Sequence, residues 1–205
     1  MDLTLFIYGE NGFLTSTLAA SLSNSGYKVI GESDNYEAAI IQINRLEPDV
    51  AILNLEHNQT RAIDLSKNIR KRFPKMGIVF SSKAKDFRLL GLKKDDLPSG
   101  SVAAHICKHG DFDSLKEKIN LAPYSTDCKS EFPINRDFTD SQIETLRLLA
   151  EGNANSEIAK VRFVSEKSVE QMLARIANMF GVTFDYQHNS RVRILNSYYE
   201  LVNGR

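Results

Sequence analysis

The chain has 205 residues with 42% hydrophobic content, enough to build one medium and one small core. Its 26 basic and 26 acidic side chains cancel, so generic electrostatic attachment to nucleic acid is weak. No apolar run approaches the roughly 20 residues of a membrane-spanning helix, and the N-terminus MDLTLFIYGEN lacks the features of a secretion signal, so a cytoplasmic protein is expected.

The first 122 residues alternate short apolar runs with helical stretches. Strands are expected at Leu3 to Tyr8, Tyr27 to Gly31, Val50 to Leu55, Gly77 to Ser81 and Val102 to Ile106. Between them, helices are expected at Phe13 to Ser25, Tyr36 to Leu46 and Arg61 to Phe73, with a last one at Phe112 to Ile119. This β-α repeat builds a five-stranded parallel sheet covered on both faces, and such sheets place ligands at the carboxyl ends of their strands. The residues brought there are Gly9, Glu10, Asn54, Ser81, Ser82 and Lys108. Between Ser81 and the last strand, Leu97-Pro98-Ser99-Gly100 is a turn signal. The sequence GENG at positions 9–12 follows a strand but matches neither a P-loop nor a dinucleotide fingerprint. His105, Cys107 and His109 alternate along a strand end, the one metal-like spacing, and no fourth ligand accompanies them, so no metal or other cofactor is expected. Cys107 and Cys128 give no disulfide framework.

Residues 121–137, LAPYSTDCKSEFPINRD, contain two prolines and no clean period, and read as a linker between a domain at 1–120 and a second at 138–205. The second opens with Thr139 three residues before Gln142, a capping box, followed by the apolar stripe Ile143, Leu146, Leu149 and Ala150, with Gly152 as a stop. Asn155 is the expected cap of a short helix carrying Ile158 and Ala159. Ser165 caps the next, whose stripe is Val169, Leu173, Ile176 and Phe180, stopped by Gly181. Its opposite face presents Lys167, Ser168, Gln171, Ala174, Arg175 and Asn178, a mixture suited either to solvent or to the donor and acceptor pattern of a DNA major groove. A fourth helix is expected at Ser190 to Val202, its apolar side serving either core packing or an interface.

The stretch from Phe138 to Val182, with FT, ETLRLLAEG, NSEIA, VSEKSVE and MFGV, resembles the LuxR-type DNA-binding domain of NarL/FixJ response regulators, whose pattern runs LTxRExEVLxLxAxGxSNxEIAxxLxxSxxTVKxHxxxIxxKLGV. The resemblance implies that Lys167, Ser168, Gln171, Met172, Arg175 and Asn178 face double-stranded DNA, and that the fourth helix serves dimerisation. Glu170 stands where the family has a basic residue, and Met172 and Met179 replace its His and Lys, so two phosphate partners are missing. Between Arg136 and Arg205 acidic and basic residues are equal in number, which implies a weak reader that depends on pairing of half-sites, with Arg191 and Arg193 offered as partial replacements.

With that match, the first domain resembles a flavodoxin-like, CheY-like receiver, and PDVAILNLE resembles the receiver phrase PDVVLLDLxMP with Asn54 in place of the phospho-accepting Asp. An amide has no anionic oxygen with which to attack a phosphoryl group. The acidic pair that holds magnesium aligns with Gly9 and Glu10, leaving one carboxylate. Ser81 matches the switch Thr/Ser and Lys108 the receiver Lys. The expected protein is therefore an orphan response regulator, not an enzyme: a sequence-specific transcription regulator with a pseudo-receiver, acting as a homodimer and answering to a regulatory protein or small ligand. The alternative is a protein-interaction module that has lost useful DNA binding.

Overall fold

The computed structural model describes residues 3–106, 111–182 and 189–203, which form two compact units. The first comprises residues 1–83 and 93–133; the second is assembled from two pieces of chain, 84–92 and 134–205.

The first unit holds strands β1 (Thr4–Tyr8), β2 (Lys28–Ser33), β3 (Val50–Asn54), β4 (Gly77–Ser82) and β5 (Val102–His105). All pairings are parallel, in the order β2-β1-β3-β4-β5, the doubly wound order of flavodoxin-like sheets. Helices α1 (Gly12–Asn24), α2 (Tyr36–Leu46), α3 (Gln59–Arg72) and α4 (Asp111–Leu121) are the crossovers. The strands read as apolar runs because both faces are covered. Leu5, Ile7, Ile52, Val79 and Ala104 pack with Ala19 and Leu22 of α1 and Leu115 and Ile119 of α4. The alternate residues Phe6, Ala51, Leu53, Ile78 and Phe80 are equally buried on the other face. Each of α1, α2 and α3 begins at an asparagine, Asn11, Asn35 and Asn58, whose carboxamide oxygen accepts a first-turn amide.

The expected strands and helices all form, with ends shifted by a few residues. No α-helix forms between β4 and β5; that connection holds two 3₁₀ turns, Phe87–Leu90 and Lys94–Asp96. Residues 121–133 are fixed by hydrogen bonds rather than loose: the Gly100 amide donates to the Cys128 carbonyl at 2.8 Å, the Glu131 amide to the Ser101 carbonyl at 2.8 Å, and Lys118 to the Glu131 carboxylate at 2.6 Å.

The second unit contains α5 (Asp140–Ala150), α6 (Asn155–Val161), α7 (Glu166–Met179) and α8 (Ser190–Val202). Its core is the predicted stripes, Ile143, Leu146, Leu149, Ile158, Val169, Leu173 and Ile176, joined by Ile194, Tyr198 and Leu89 from the 84–92 piece. The Thr139–Gln142 capping box forms, and Ser165 caps α7 through the Ser168 amide at 3.1 Å. The expected cap of α6 is displaced by one residue. Ala154 occupies the N-cap, its amide donating to the Glu157 carboxylate at 2.6 Å, which frees the Asn155 carboxamide to accept from Arg191 at 3.0 Å.

Residues 84–92 are bound in by a dense polar cluster. Asp86, with no exposed surface, accepts from the Arg88 guanidinium at 2.7 Å, the Arg88 amide at 2.9 Å and the Asn135 amide at 3.1 Å. Arg88 also donates to the carbonyls of Asn135 and Phe138 at 2.8 and 2.9 Å and to Asp140 at 2.5 Å. Its charge is held far more firmly than an ordinary arginine's, first by the hydrogen bond to Asp86. From α8, the Tyr198 hydroxyl donates to the Leu89 carbonyl at 3.2 Å, and burial pushes that hydroxyl's pKa up.

Candidate DNA-reading helix and degenerate phosphorylation edge

Helix α7 buries Val169, Leu173, Ile176 and Ala177 and turns its other side to solvent. Lys167, Ser168, Gln171, Arg175 and Asn178 are exposed; Met172 is partly buried against the core. Among the described residues neither Lys167 nor Arg175 makes an ion pair. Ser168 is drawn toward the cap, its hydroxyl 2.8 Å from that of Ser165. Glu170 is exposed on the same helix, and Met179 meets the Gln142 amide nitrogen at 3.2 Å. The two arginines offered as replacements for lost phosphate partners are both engaged: Arg191 binds Asn155 and the Asn153 carbonyl, fixing the entry to α6, and Arg193 also has a partner.

Sequence reading did not anticipate Arg162. It ends α6 and reaches across to α5, where its guanidinium donates to Thr145 Oγ1 at 2.6 Å, Glu144 at 3.2 Å and Ser141 Oγ. The pattern EIAxxL has an apolar residue here, so a polar staple replaces an apolar plug between the two helices. The available signal was the departure itself, with three hydrogen-bonding residues one helix earlier.

At the carboxyl edge of the sheet, Asn54 and Ser81 are neighbours in the β3–β4 register. The Asn54 carboxamide oxygen turns back to accept the Glu56 amide at 2.7 Å. Gly9, at the end of β1, is so close that a Cβ there would stand 2.9 Å from Asn54 Cβ and 3.0 Å from Thr15 Oγ1. An acidic side chain at position 9 therefore does not fit beside Asn54 without displacing it. The remaining carboxylate, Glu10, pairs with Arg61 at 3.3 Å. Beside it, burial raises the Tyr8 hydroxyl to about 12, with the Glu10 charge adding to the effect. Glu56 pairs with Lys83 at 3.2 Å. Ser81 Oγ is buried with no hydrogen-bond partner among the described residues.

Lys108, Cys107 and His109 lie outside the described residues. His105 is occupied structurally: Nε2 donates to the Lys83 carbonyl at 2.7 Å and Nδ1 lies 3.4 Å from Asp111. Asn11 caps α1 through the Leu14 amide at 3.1 Å, which gives the GENG turn a local structural task.

The chain joins a unit of doubly wound receiver-like fold to a helix-turn-helix unit. Residues 136–187 match the luxR family of bacterial regulatory proteins. The chain is 22% identical over 178 residues to the response regulator protein VraR of Staphylococcus epidermidis, covering 79% of this chain and 85% of that protein. It is 23% identical over 183 residues to VraR of Staphylococcus saprophyticus, covering 82% and 88%. Its fold is similar to that of the response regulator RcsB in complex with DNA, at 21% identity, TM-score 0.55, and 98% and 100% of the two chains. A structure of two RcsB dimers on two parallel DNAs gives 0.56 at the same identity and coverage. The chain thus carries a helix-turn-helix that matches the luxR family, beside a unit with the receiver fold, and is similar over most of its length to response regulators.

Proposed function

We propose that this chain is a sequence-specific, DNA-binding transcription regulator, not an enzyme, whose receiver-like unit is not switched by aspartyl phosphorylation. The observation that carries the DNA reading is the outward face of α7, where Lys167, Gln171, Arg175 and Asn178 are exposed and neither cation makes an ion pair among the described residues. When a recognition helix lies in the major groove, Arg suits the acceptors of guanine and Gln and Asn those of adenine, while a Lys in its first turn meets the bordering phosphates. The relatives solved on DNA support the same reading. With few basic groups on the unit, affinity comes from pairing two copies on two half-sites, and α8, with Val192 and Tyr199 exposed, is the surface assigned to that pairing.

The phosphorylation edge supports control by other means. Position 54 carries no nucleophilic carboxylate, position 9 has no room for one, and Glu10 is neutralised by Arg61. A regulatory protein or a small ligand at the receiver-like unit replaces the phosphoryl group. Incubation with acetyl phosphate and magnesium is expected to leave the protein mass unchanged; an adduct released by hydroxylamine overturns this part of the proposal.

The second reading, a protein-interaction module without useful DNA binding, draws on Glu170 in the reading helix and on the balanced charge of the C-terminal region. Selection from random duplex DNA separates the two. An enriched, half-site-repeated sequence is expected; recovery of none at low salt and high protein concentration removes the DNA reading.

A further inference from the structure

Three helices of this chain, α1, α5 and α7, end in the same six-residue turn with a glycine in the left-handed region: Gly26 (φ 91°), Gly152 (φ 90°) and Gly181 (φ 65°). In each, that residue's amide bonds back three residues and the next amide bonds back five, as with Gly152 to the Leu149 carbonyl and Asn153 to the Leu148 carbonyl. Helix α6 ends in the same pattern, Phe163 to Lys160 and Val164 to Ala159, but the left-handed position, φ 53°, is held by a phenylalanine. A bulky L-residue is disfavoured there by contact between its Cβ and the backbone. Packing does not offset that cost, because Phe163 is 95% exposed. A strained, solvated aromatic ring with no structural task points to contact with something else.

Its surroundings select the partner. Val161 and Val164 are exposed beside it in the chain. Lys160 lies three residues before it and Lys167 four after; both are exposed, and neither makes an ion pair among the described residues. The acidic groups next to this turn include Glu157, drawn to the Ala154 amide, Glu144, paired with Arg162, and Glu166 at the start of α7. An exposed apolar ring flanked in sequence by two cations that make no ion pair among the described residues complements a polyanion that also offers carbon surface, which describes a DNA strand with its phosphates and deoxyribose faces. The turn before a reading helix is also where the chain meets the strand bordering the groove.

We propose that Phe163 is a DNA-contact residue, packing its ring on the sugar face of the strand whose phosphates Lys160 and Lys167 neutralise. It supplies by apolar contact part of the attachment that the missing basic groups no longer give. The inference rests on the DNA-binding function proposed above.

The test is a binding titration of the full chain on the selected duplex at several salt concentrations, with thermal unfolding alongside. Phe163→Gly should raise the unfolding midpoint by about 4 °C, because glycine suits the left-handed turn. It should also weaken DNA binding about tenfold while leaving the salt slope unchanged, since an apolar contact releases no counterions. Lys160→Ala and Lys167→Ala should each reduce that slope by about one. Wild-type affinity in Phe163→Gly, or a lower unfolding midpoint, overturns the inference alone. Unchanged affinity with lost transcriptional output puts the ring against another protein and overturns the DNA assignment. A wild-type chain that retains no duplex overturns the proposed function, and this inference with it.

Discussion

Arg88→Ala is expected to unfold the C-terminal unit at markedly lower denaturant concentration, at a cost of about 3–5 kcal/mol. The substitution strips the buried Asp86 carboxylate of its cation and leaves it only the backbone amides of Arg88 and Asn135. It also orphans the carbonyls of Asn135 and Phe138 and releases Asp140, the first residue of α5. Removing one member of a desolvated pair costs more than the pair contributes, because the charge left behind has lost its water without compensation. Arg88→Lys should recover only part of the loss, since an ammonium cannot serve a carboxylate and two carbonyls with one planar fork. Urea unfolding followed by far-ultraviolet circular dichroism reads the result. A midpoint within about 0.5 kcal/mol of wild type would show the cluster to be ornamental.

The second large effect falls on DNA. Lys167→Ala and Arg175→Ala should each weaken binding to the selected site by about tenfold or more, and together by roughly a hundredfold. The two stand eight residues apart on α7, roughly 12 Å along its axis, far enough for their losses to add. Both side chains are exposed and make no ion pair among the described residues, so the folded state should be indifferent to their removal. Titration by fluorescence anisotropy, with melting curves as control, checks both halves. Full affinity in the double variant would mean that α7 does not face the duplex.

Much of this architecture was legible before any coordinates. The strands announce themselves because a sheet buried on both faces needs continuous apolar runs, and the C-terminal helices because Thr139, Gln142, Ser165, Gly152 and Gly181 mark their ends by local hydrogen bonding. Asn54 and Gly9, on which the proposed pseudo-receiver reading rests, were visible as single letters, although the crowding around Gly9 appears only in space. What the sequence concealed is long-range. The partners of Arg88 lie as many as 52 positions away, and nothing in KAKDFRLLGL has a period from which to infer them. The Arg162 staple to α5 and the Arg191 clamp on Asn155 were equally hidden, for both consume cations that composition alone makes look available for phosphate. Phe163 is intermediate: its letter was plain, but its meaning depended on a backbone angle.

The two-piece construction of the C-terminal unit has a consequence for how this protein can be taken apart or recombined. A domain drawn from one continuous stretch of chain can be transplanted as a cassette through a single junction. Here the chain passes between the units three times, after residues 83, 92 and 133, so the boundary of the fold and the boundary of the sequence do not coincide. A chimera joined anywhere in 121–137 separates Leu89, Arg88 and Asp86 from the core and the helix start that they complete. The heritable module is therefore larger than the family motif it contains: the nine residues 84–92, embedded in the receiver-like sequence, must travel with residues 134–205 for the transplant to keep its native core.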